Sequence, residues 1–166
     1  MFRELAKMIQ DHARSAVSRF QRRPSEVWDG HAIYTTVHTD GEGGGPVAVT
    51  VEIEVLAPAS LLVRRRRFFR WAKHRLPPIN HANADSTLEV RGDDPAFARR
   101  LFDNDVAAAT LPRALKRDEW IEISPTLVRV HRRVIDDSAE DANGAARLMA
   151  MAVVSALKLP PPSAPA

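Results

Sequence analysis

One stretch of nine residues, Val47 to Val55, alternates between branched apolar and other side chains, and it constrains the fold most. Every second residue is valine or isoleucine, and Ala48, Thr50, Glu52 and Glu54 fall between them. Successive side chains of a β-strand point to opposite faces of the sheet, so this period predicts a strand with one wet face. Its apolar face requires a second layer of structure to cover it.

Other short apolar runs extend the predicted sheet. They are rich in β-branched residues and are bounded by turn residues. The runs are Val27 to Val37, Leu61 to Val63, Leu88 to Val90, Trp120 to Ile123 and Leu127 to Ile135. Gly41 to Pro46 and Ser124 to Thr126 supply two hairpin connections.

Three segments carry helical signals. An apolar stripe at three- and four-residue steps predicts an N-terminal amphipathic helix that ends before Pro24. Its members are Phe2, Leu5, Ile9, Ala13, Ala16 and Phe20. Gly92-Asp93-Asp94-Pro95 is typical of a helix start and predicts one helix, or two short ones, running to about Lys116. A last helix begins within Asp136 to Asp141, with Asp137 as its predicted cap and Glu140 reaching back to it.

The order of these elements predicts an α+β fold. We expect a mainly antiparallel sheet of about five to six strands, with N-terminal, middle and C-terminal helices packed on one face. The last helix is so apolar that we expect it to lie between the sheet and the N-terminal helix. Residues 1–159 are predicted to form one domain, and residues 160–166, which include four prolines, a disordered tail.

Composition excludes several classes of protein. The chain has no cysteine, which rules out thiolate nucleophiles, cysteine-ligated zinc and iron-sulfur clusters. Neither a secretory signal nor an apolar stretch of about 18 residues is found, so we expect a cytoplasmic protein that can also bind peripherally to a membrane.

The basic residues are unevenly distributed. Seven of the 24 lysines and arginines lie between Arg64 and Arg75, where no acidic residue occurs, while the rest of the chain holds 17 basic and 21 acidic residues. Four consecutive arginines cannot continue a strand with a dry face, so the sheet is open to water there or the strand ends.

This basic segment is the candidate binding site. Guanidinium groups bind phosphate, and the neighbouring aromatic rings could stack on bases or enter a lipid interface. The expected partners are therefore nucleic acid or an anionic membrane surface. The candidate residues are Arg64, Arg65, Arg66, Arg67, Arg70, Trp71, Lys73 and Arg75. In the alternative interpretation the arginines pair with acidic residues and the aromatic side chains simply cover the core.

Other candidate sites are weaker. His81 and Asp85 share a loop but lack a third metal ligand, and His31 and His38 would point to opposite faces of a regular strand. The acidic residues at the predicted helix starts are explained by capping rather than by acid-base catalysis. These are Asp93, Asp94, Asp136, Asp137, Glu140 and Asp141. The stripe of the N-terminal segment could lie on a membrane, although a core-facing helix needs the same stripe.

The segment Gly92-Asp93-Asp94-Pro95-Ala96-Phe97, which follows an arginine-rich strand and precedes the Trp120 to Val134 hairpin, resembles an uncharacterised bacterial family. The resemblance covers roughly Gly30 to Ile135. It implies the same order of strands and helices but no known activity. Hydrophobic helices precede the domain in many members, whereas this chain has an amphipathic segment there.

The sequence therefore favours a non-catalytic accessory or interaction domain without a cofactor or metal. The alternative is a small hydrolase whose site is assembled from residues scattered along the chain.

Overall fold

The chain folds around one β-sheet, and the computed structural model describes residues 23–41, 43–66, 75–80, 86–135 and 137–162. Within those ranges seven strands lie side by side in the order β1-β2-β3-β7-β6-β4-β5, each antiparallel to its neighbours. The strands are β1 (Glu26–Trp28), β2 (His31–Thr39), β3 (Pro46–Glu54), β4 (Leu61–Arg65), β5 (Leu88–Gly92), β6 (Trp120–Ser124) and β7 (Leu127–Arg133). The predicted α+β class and antiparallel sheet are confirmed.

The predicted strand count is too low because the run Val27 to Val37 is two strands. Asp29 and Gly30 have φ angles of 47° and 80°, and they join β1 to β2 in a two-residue hairpin. Two successive residues with positive φ match the twist of adjacent strands, which is why Asp-Gly is a strong hairpin signal. The sequence prediction treated this dipeptide as part of one continuous strand.

Three helices occupy the described ranges, namely α1 (Pro95–Phe102), α2 (Asp105–Ala114) and α3 (Ala139–Leu157). The prediction of two short helices after Gly92 is confirmed. Asp94 Oδ1 accepts a hydrogen bond from Ala96 N at 2.9 Å, and Asn104 Oδ1 accepts one from Ala107 N at 3.0 Å. Each cap satisfies backbone donors that the first turn of a helix leaves unpaired.

The cap of α3 is one residue later than predicted. Ser138 Oγ accepts a hydrogen bond from Asp141 N at 3.1 Å and donates one to Asp141 Oδ2 at 2.8 Å. A hydroxyl can donate and accept at once, which a carboxylate cannot do. Asp137, the predicted cap, instead lies 3.6 Å from Arg132 Nη2.

The core lies between one face of the sheet and the three helices. Val49, Val51 and Ile53 of β3 are fully buried as predicted, and α3 packs across β3 and β7. Their partners across the sheet, such as Val130 opposite Val51, are also buried. The predicted alternation is incomplete, because Val47 is exposed and Ala48 and Thr50, on the face predicted to be wet, are buried. We call the opposite side, which carries the intervening residues of each strand, the polar face.

Several predictions lie outside the described residues or need correction. The segment predicted as an N-terminal helix and residues 67–74 of the basic segment lie outside the described residues. Pro160 O accepts a hydrogen bond from Leu56 N at 2.8 Å, so the tail boundary predicted at residue 160 falls inside ordered structure. None of the helices in the described ranges is long and apolar enough to cross a membrane.

Candidate polyanion-binding site

Strand β4 carries the first part of the arginine run and ends within it. Arg64 and Arg65 are its last two residues, and Arg66 N still donates to Thr87 O at 2.7 Å. Of the two alternatives predicted for the run, an open sheet or the end of the strand, the structure shows that the strand ends at Arg65. Because side chains alternate along the strand, Arg64 and Arg65 point to opposite faces of the sheet.

Arg65 points to the helix side, where it binds the C-terminal end of α2. Its Nη1 donates to Pro112 O at 2.9 Å and to Leu115 O at 3.0 Å. The last carbonyls of a helix lack partners within it and carry partial negative charge, so a guanidinium there satisfies both needs. Arg65 is therefore a structural residue, contrary to its place in the predicted binding surface.

Arg64 points to the polar face and shares Glu89 with Arg91. Arg64 Nε lies 3.1 Å from Glu89 Oε2 and its Nη2 3.3 Å from Oε1, while Arg91 Nε binds the same Oε1. The Glu89 side chain is only 2% exposed, whereas that of Arg64 is 24% exposed. Among the described residues, two guanidinium groups thus contact one buried carboxylate.

Two exposed arginines adjoin this group. Arg66 directly follows β4, and Arg75 precedes Leu76, whose carbonyl accepts from Arg91 Nη1 at 2.9 Å. We call Arg64, Arg66, Arg75 and Arg91 the basic cluster. Arg67, Arg70, Trp71 and Lys73, also predicted as site residues, lie outside the described residues.

Sequence reasoning missed Glu89 and Arg91. The alternation in Leu88-Glu89-Val90-Arg91 was the available signal, since it places both polar residues on one face of β5. What it could not indicate was the pairing of β5 with β4, which sets Glu89 opposite Arg64.

The middle of the polar face has the opposite balance of charge. Arg129 of β7 lies between two carboxylates, with Nε 2.8 Å from Glu52 Oε1 and Nη1 3.2 Å from Glu122 Oε2. Here two acids share one guanidinium, whereas two guanidiniums share one acid at the β4–β5 end. Among the described ion pairs of this face, basic groups therefore outnumber acidic ones at the β4–β5 end, and acidic groups outnumber basic ones at the centre.

Two histidines share a threonine hydroxyl beside these ion pairs. Thr50 Oγ1 lies 2.8 Å from His38 Nε2 and 3.1 Å from His131 Nδ1, and the His131 ring stacks on Trp120 with centroids 5.2 Å apart. One hydroxyl has one proton, so it can donate to only one of the two imidazoles. Burial, followed by the charge of His38, lowers the pKa of His131, so the neutral ring is favoured.

This arrangement is poorly suited to nucleophilic catalysis. Thr50 is 8% exposed in the middle of β3, so a substrate carbonyl could not reach its hydroxyl without displacing neighbouring side chains. The three residues instead form a hydrogen-bonded bridge across β2, β3 and β7.

The acidic residues proposed as caps have structural partners where they are described. Asp93 Oδ1 accepts from Ser60 N at 3.0 Å, and Asp94 and Asp141 act at helix starts. Glu140 is exposed in the first turn of α3, and Asp136 lies outside the described residues.

In the described part of the chain, no group of three or more histidine or acidic side chains is placed so that it could hold a metal ion. His31 and His38 do point to opposite sides, and His31 Nδ1 donates to Glu54 O at 2.7 Å. His81 and Asp85 lie outside the described ranges.

A scan of protein-family models found no match, and neither did a search of curated proteins. Among solved structures, this chain is similar to the crystal structure of the mycobacterial trehalose monomycolate transport factor A, TtfA. The TM-score is 0.51 and the sequence identity 14%, and the match covers 79% of this chain and 75% of that chain. At this identity the likeness shows a shared α+β fold, since one fold can serve many functions.

Proposed function

We propose that this chain is a non-catalytic binding domain that holds a phosphate-bearing polyanion at the basic cluster. One observation carries the proposal: Arg64 and Arg91 bind the same carboxylate, and the exposed Arg66 and Arg75 are near them along the chain, two residues after Arg64 and one before the Leu76 that Arg91 contacts. Uncompensated guanidinium groups at the end of a sheet attract anions and bind phosphate oxygens in pairs.

The location of the cluster favours a larger basic surface. Arg66 and Arg75 are the described residues on either side of the segment that carries Arg67, Arg70, Trp71 and Lys73. Arg66 N donates to Thr87 O, just before β5, and Arg91 of β5 donates to Leu76 O. Those four residues lie outside the described ranges, and we include them in the proposed site for their charge and their aromatic ring.

A non-catalytic role is supported by how the charged groups are used. The carboxylates of Glu52, Glu89 and Glu122 bind arginines, and Asp94 caps a helix. Each of these carboxylates is therefore engaged in a contact within the chain. The mycobacterial neighbour is likewise named for transport rather than for a reaction.

Heparin chromatography tests the proposal. We expect the Arg66→Ser/Arg75→Ser variant to elute at clearly lower salt than the unmodified protein. Arg99→Ser/Arg113→Ser is the matched control, because it removes the same charge from exposed positions on α1 and α2. Equal shifts in both variants would show that retention follows net charge alone, and the proposed site would be wrong.

A second variant should change retention in the opposite direction. Glu89→Gln releases Arg64 and Arg91 from their shared carboxylate, so we expect elution at higher salt than for Glu140→Gln, which makes the same charge change on α3. Circular dichroism establishes first that both variants are folded. If Glu89→Gln and Glu140→Gln elute together, the shared carboxylate does not control the site.

The source of the anion is then distinguished with two probes. A single-stranded oligonucleotide titrated at several salt concentrations reports phosphate contacts through the slope of log affinity against log salt. Sedimentation with phosphatidylglycerol vesicles, beside neutral phosphatidylcholine vesicles, tests an anionic lipid surface. Each probe is repeated with Arg66→Ser/Arg75→Ser and its control.

A further inference from the structure

The side of α3 that faces away from the sheet carries exposed apolar side chains. Leu148 is 67% exposed there, and Met151, one turn further along, is partly exposed. From Ala142 to Leu157 the helix contains one charged residue, Arg147, whose Nη1 lies 2.8 Å from Glu26 Oε2. An apolar stripe on a helix is normally covered, so this side of α3 has the character of a contact surface.

The residues on this side repeat with the spacing of a contact between two helices. They follow one another at steps of three and four residues, which places them along one line of the helix. We call this line the outer seam, and its members are Asp141, Gly144, Leu148, Met151, Ser155 and Lys158. Five of the six are exposed and Met151 is partly exposed, so the seam is accessible along the whole length of α3.

The seam is narrow on both sides of Leu148. Gly144 lies one turn before it and Ser155 two turns after it, and both residues are small. A Cβ atom added to Gly144 would meet no described atom within 4 Å, so packing within the described chain does not require glycine there. Glycine inside a helix costs about 0.5 to 1 kcal/mol relative to alanine. Small residues beside a large one allow a second helix to approach closely and to receive the large side chain.

The two ends of the seam carry opposite charges. Asp141 lies in the first turn of α3, whereas Lys158 is its C-terminal cap. Two copies of α3 that pack antiparallel therefore bring each Asp141 opposite the partner's Lys158. The other opposed pairs in this register are Gly144 with Ser155 and Leu148 with Met151, since the members of each pair are equally distant from the middle of the helix. A parallel arrangement would bring like charges together, so the antiparallel one is favoured.

We propose that this chain forms a symmetric dimer in which the outer seams of two α3 helices pack antiparallel. The contact uses the same surface on both copies, as a closed twofold dimer requires. α3 packs on the opposite side of the sheet from Arg64 and Glu89, so the dimer does not rest on the proposed polyanion site. One helix from each copy buries less area than a standard interface, and we therefore expect dimers at chain concentrations of roughly 10 to 100 µM.

Sedimentation velocity over a concentration series measures this association. We expect Leu148→Gln to dimerise about tenfold more weakly than the unmodified protein, because it removes the most exposed apolar side chain of the seam. Val106→Gln is the matched control, since Val106 of α2 is also apolar and is 68% exposed. Both side chains are exposed, so both variants should fold, and circular dichroism verifies this. A protein that stays monomeric up to about 1 mM, or equal effects of the two substitutions, would overturn the proposal.

Charge exchange tests the antiparallel register. Asp141→Lys brings two positive charges together at each end of the contact, and Lys158→Asp brings two negative charges together. Each variant alone should therefore dimerise more weakly than the unmodified protein. A mixture of the two variants restores an opposite-charge pair at both ends, so we expect mixed dimers to be about fivefold tighter than those of either variant alone. A mixture that associates no more tightly than the separate variants would show that this register, and with it the proposal, is wrong.

Discussion

Replacing Glu89 by glutamine should destabilise the fold far more than its position beside surface arginines suggests. The carboxylate is 2% exposed and receives bonds from Arg64 and Arg91. Removing one partner of a buried ion pair costs about 3 to 5 kcal/mol, since the remaining charges lose both their partner and their hydration. Glutamine keeps one acceptor oxygen, worth about 1 kcal/mol, so we expect a loss of about 2 to 4 kcal/mol.

The two arginines should contribute unequally. Arg91 is 11% exposed and also donates to Leu76 O, whereas Arg64 is 24% exposed and can regain water. We therefore expect Arg91→Gln to cost more than Arg64→Gln, whose loss should be near 1 kcal/mol because exposed pairs are worth little. The double variant Glu89→Gln/Arg91→Gln should lose at least about 1 kcal/mol less than the sum of its singles, since the two residues interact directly.

Urea unfolding followed by far-ultraviolet circular dichroism measures these differences from the shift in midpoint at constant slope. For a chain of this size, about 3 kcal/mol corresponds to a fall in Tm of roughly 6 to 12 °C. Glu122→Gln is the control, because that side chain is 41% exposed and Arg129 keeps Glu52. The reasoning would be refuted if Glu89→Gln were no more destabilising than Glu122→Gln, or if Arg64→Gln cost more than Arg91→Gln.

Three further predictions concern the histidine bridge, the cap of α3 and the first hairpin. The pKa of His131 is lowered in the folded chain, so the neutral ring stabilises the fold fully above pH 6.5, and this stabilisation is lost as the pH falls below 6.5. On acidification, the urea midpoint of His131→Gln should therefore fall less than that of the unmodified protein. Equal falls in the two proteins would contradict this prediction. Ser138→Ala should cost about 1 kcal/mol by urea unfolding and Asp137→Ala clearly less, the reverse of what an Asp137 cap would give. Gly30→Ala, at φ 80°, should lower stability by about 1 to 2 kcal/mol, whereas Gly45→Ala, with open space around it, should have little effect in the same assay.

Much of the secondary structure could be predicted because it rests on local periodicity and turn chemistry. The alternation from Val47 to Val55 needs only the period of a strand, and Asp94 beside Pro95 needs only the backbone of a first helical turn. The errors were local as well. Asp29-Gly30 was read as part of one strand, and Asp137 was preferred over Ser138 because either residue can cap a helix.

The candidate site could be predicted only as a stretch of positive charge. Sequence alone indicated that the arginine run was unusual and that a regular strand could not continue through it. It could not indicate that Arg65 would bind the carbonyls of α2, nearly 50 residues away, or that Arg91 would join the cluster. Those contacts depend on which helix end and which strand lie beside β4, and that pairing is decided by packing of the whole chain.

The sequence by itself determined the elements, the apolar face of the sheet and the excess of positive charge between Arg64 and Arg75, because each of these is set by neighbours along the chain. Only the tertiary structure decided which arginines bind groups within the chain and which are exposed to water. A guanidinium group has the same charge everywhere in a sequence, and its role depends on whether strand pairing brings it to Glu89, to a helix end or to water.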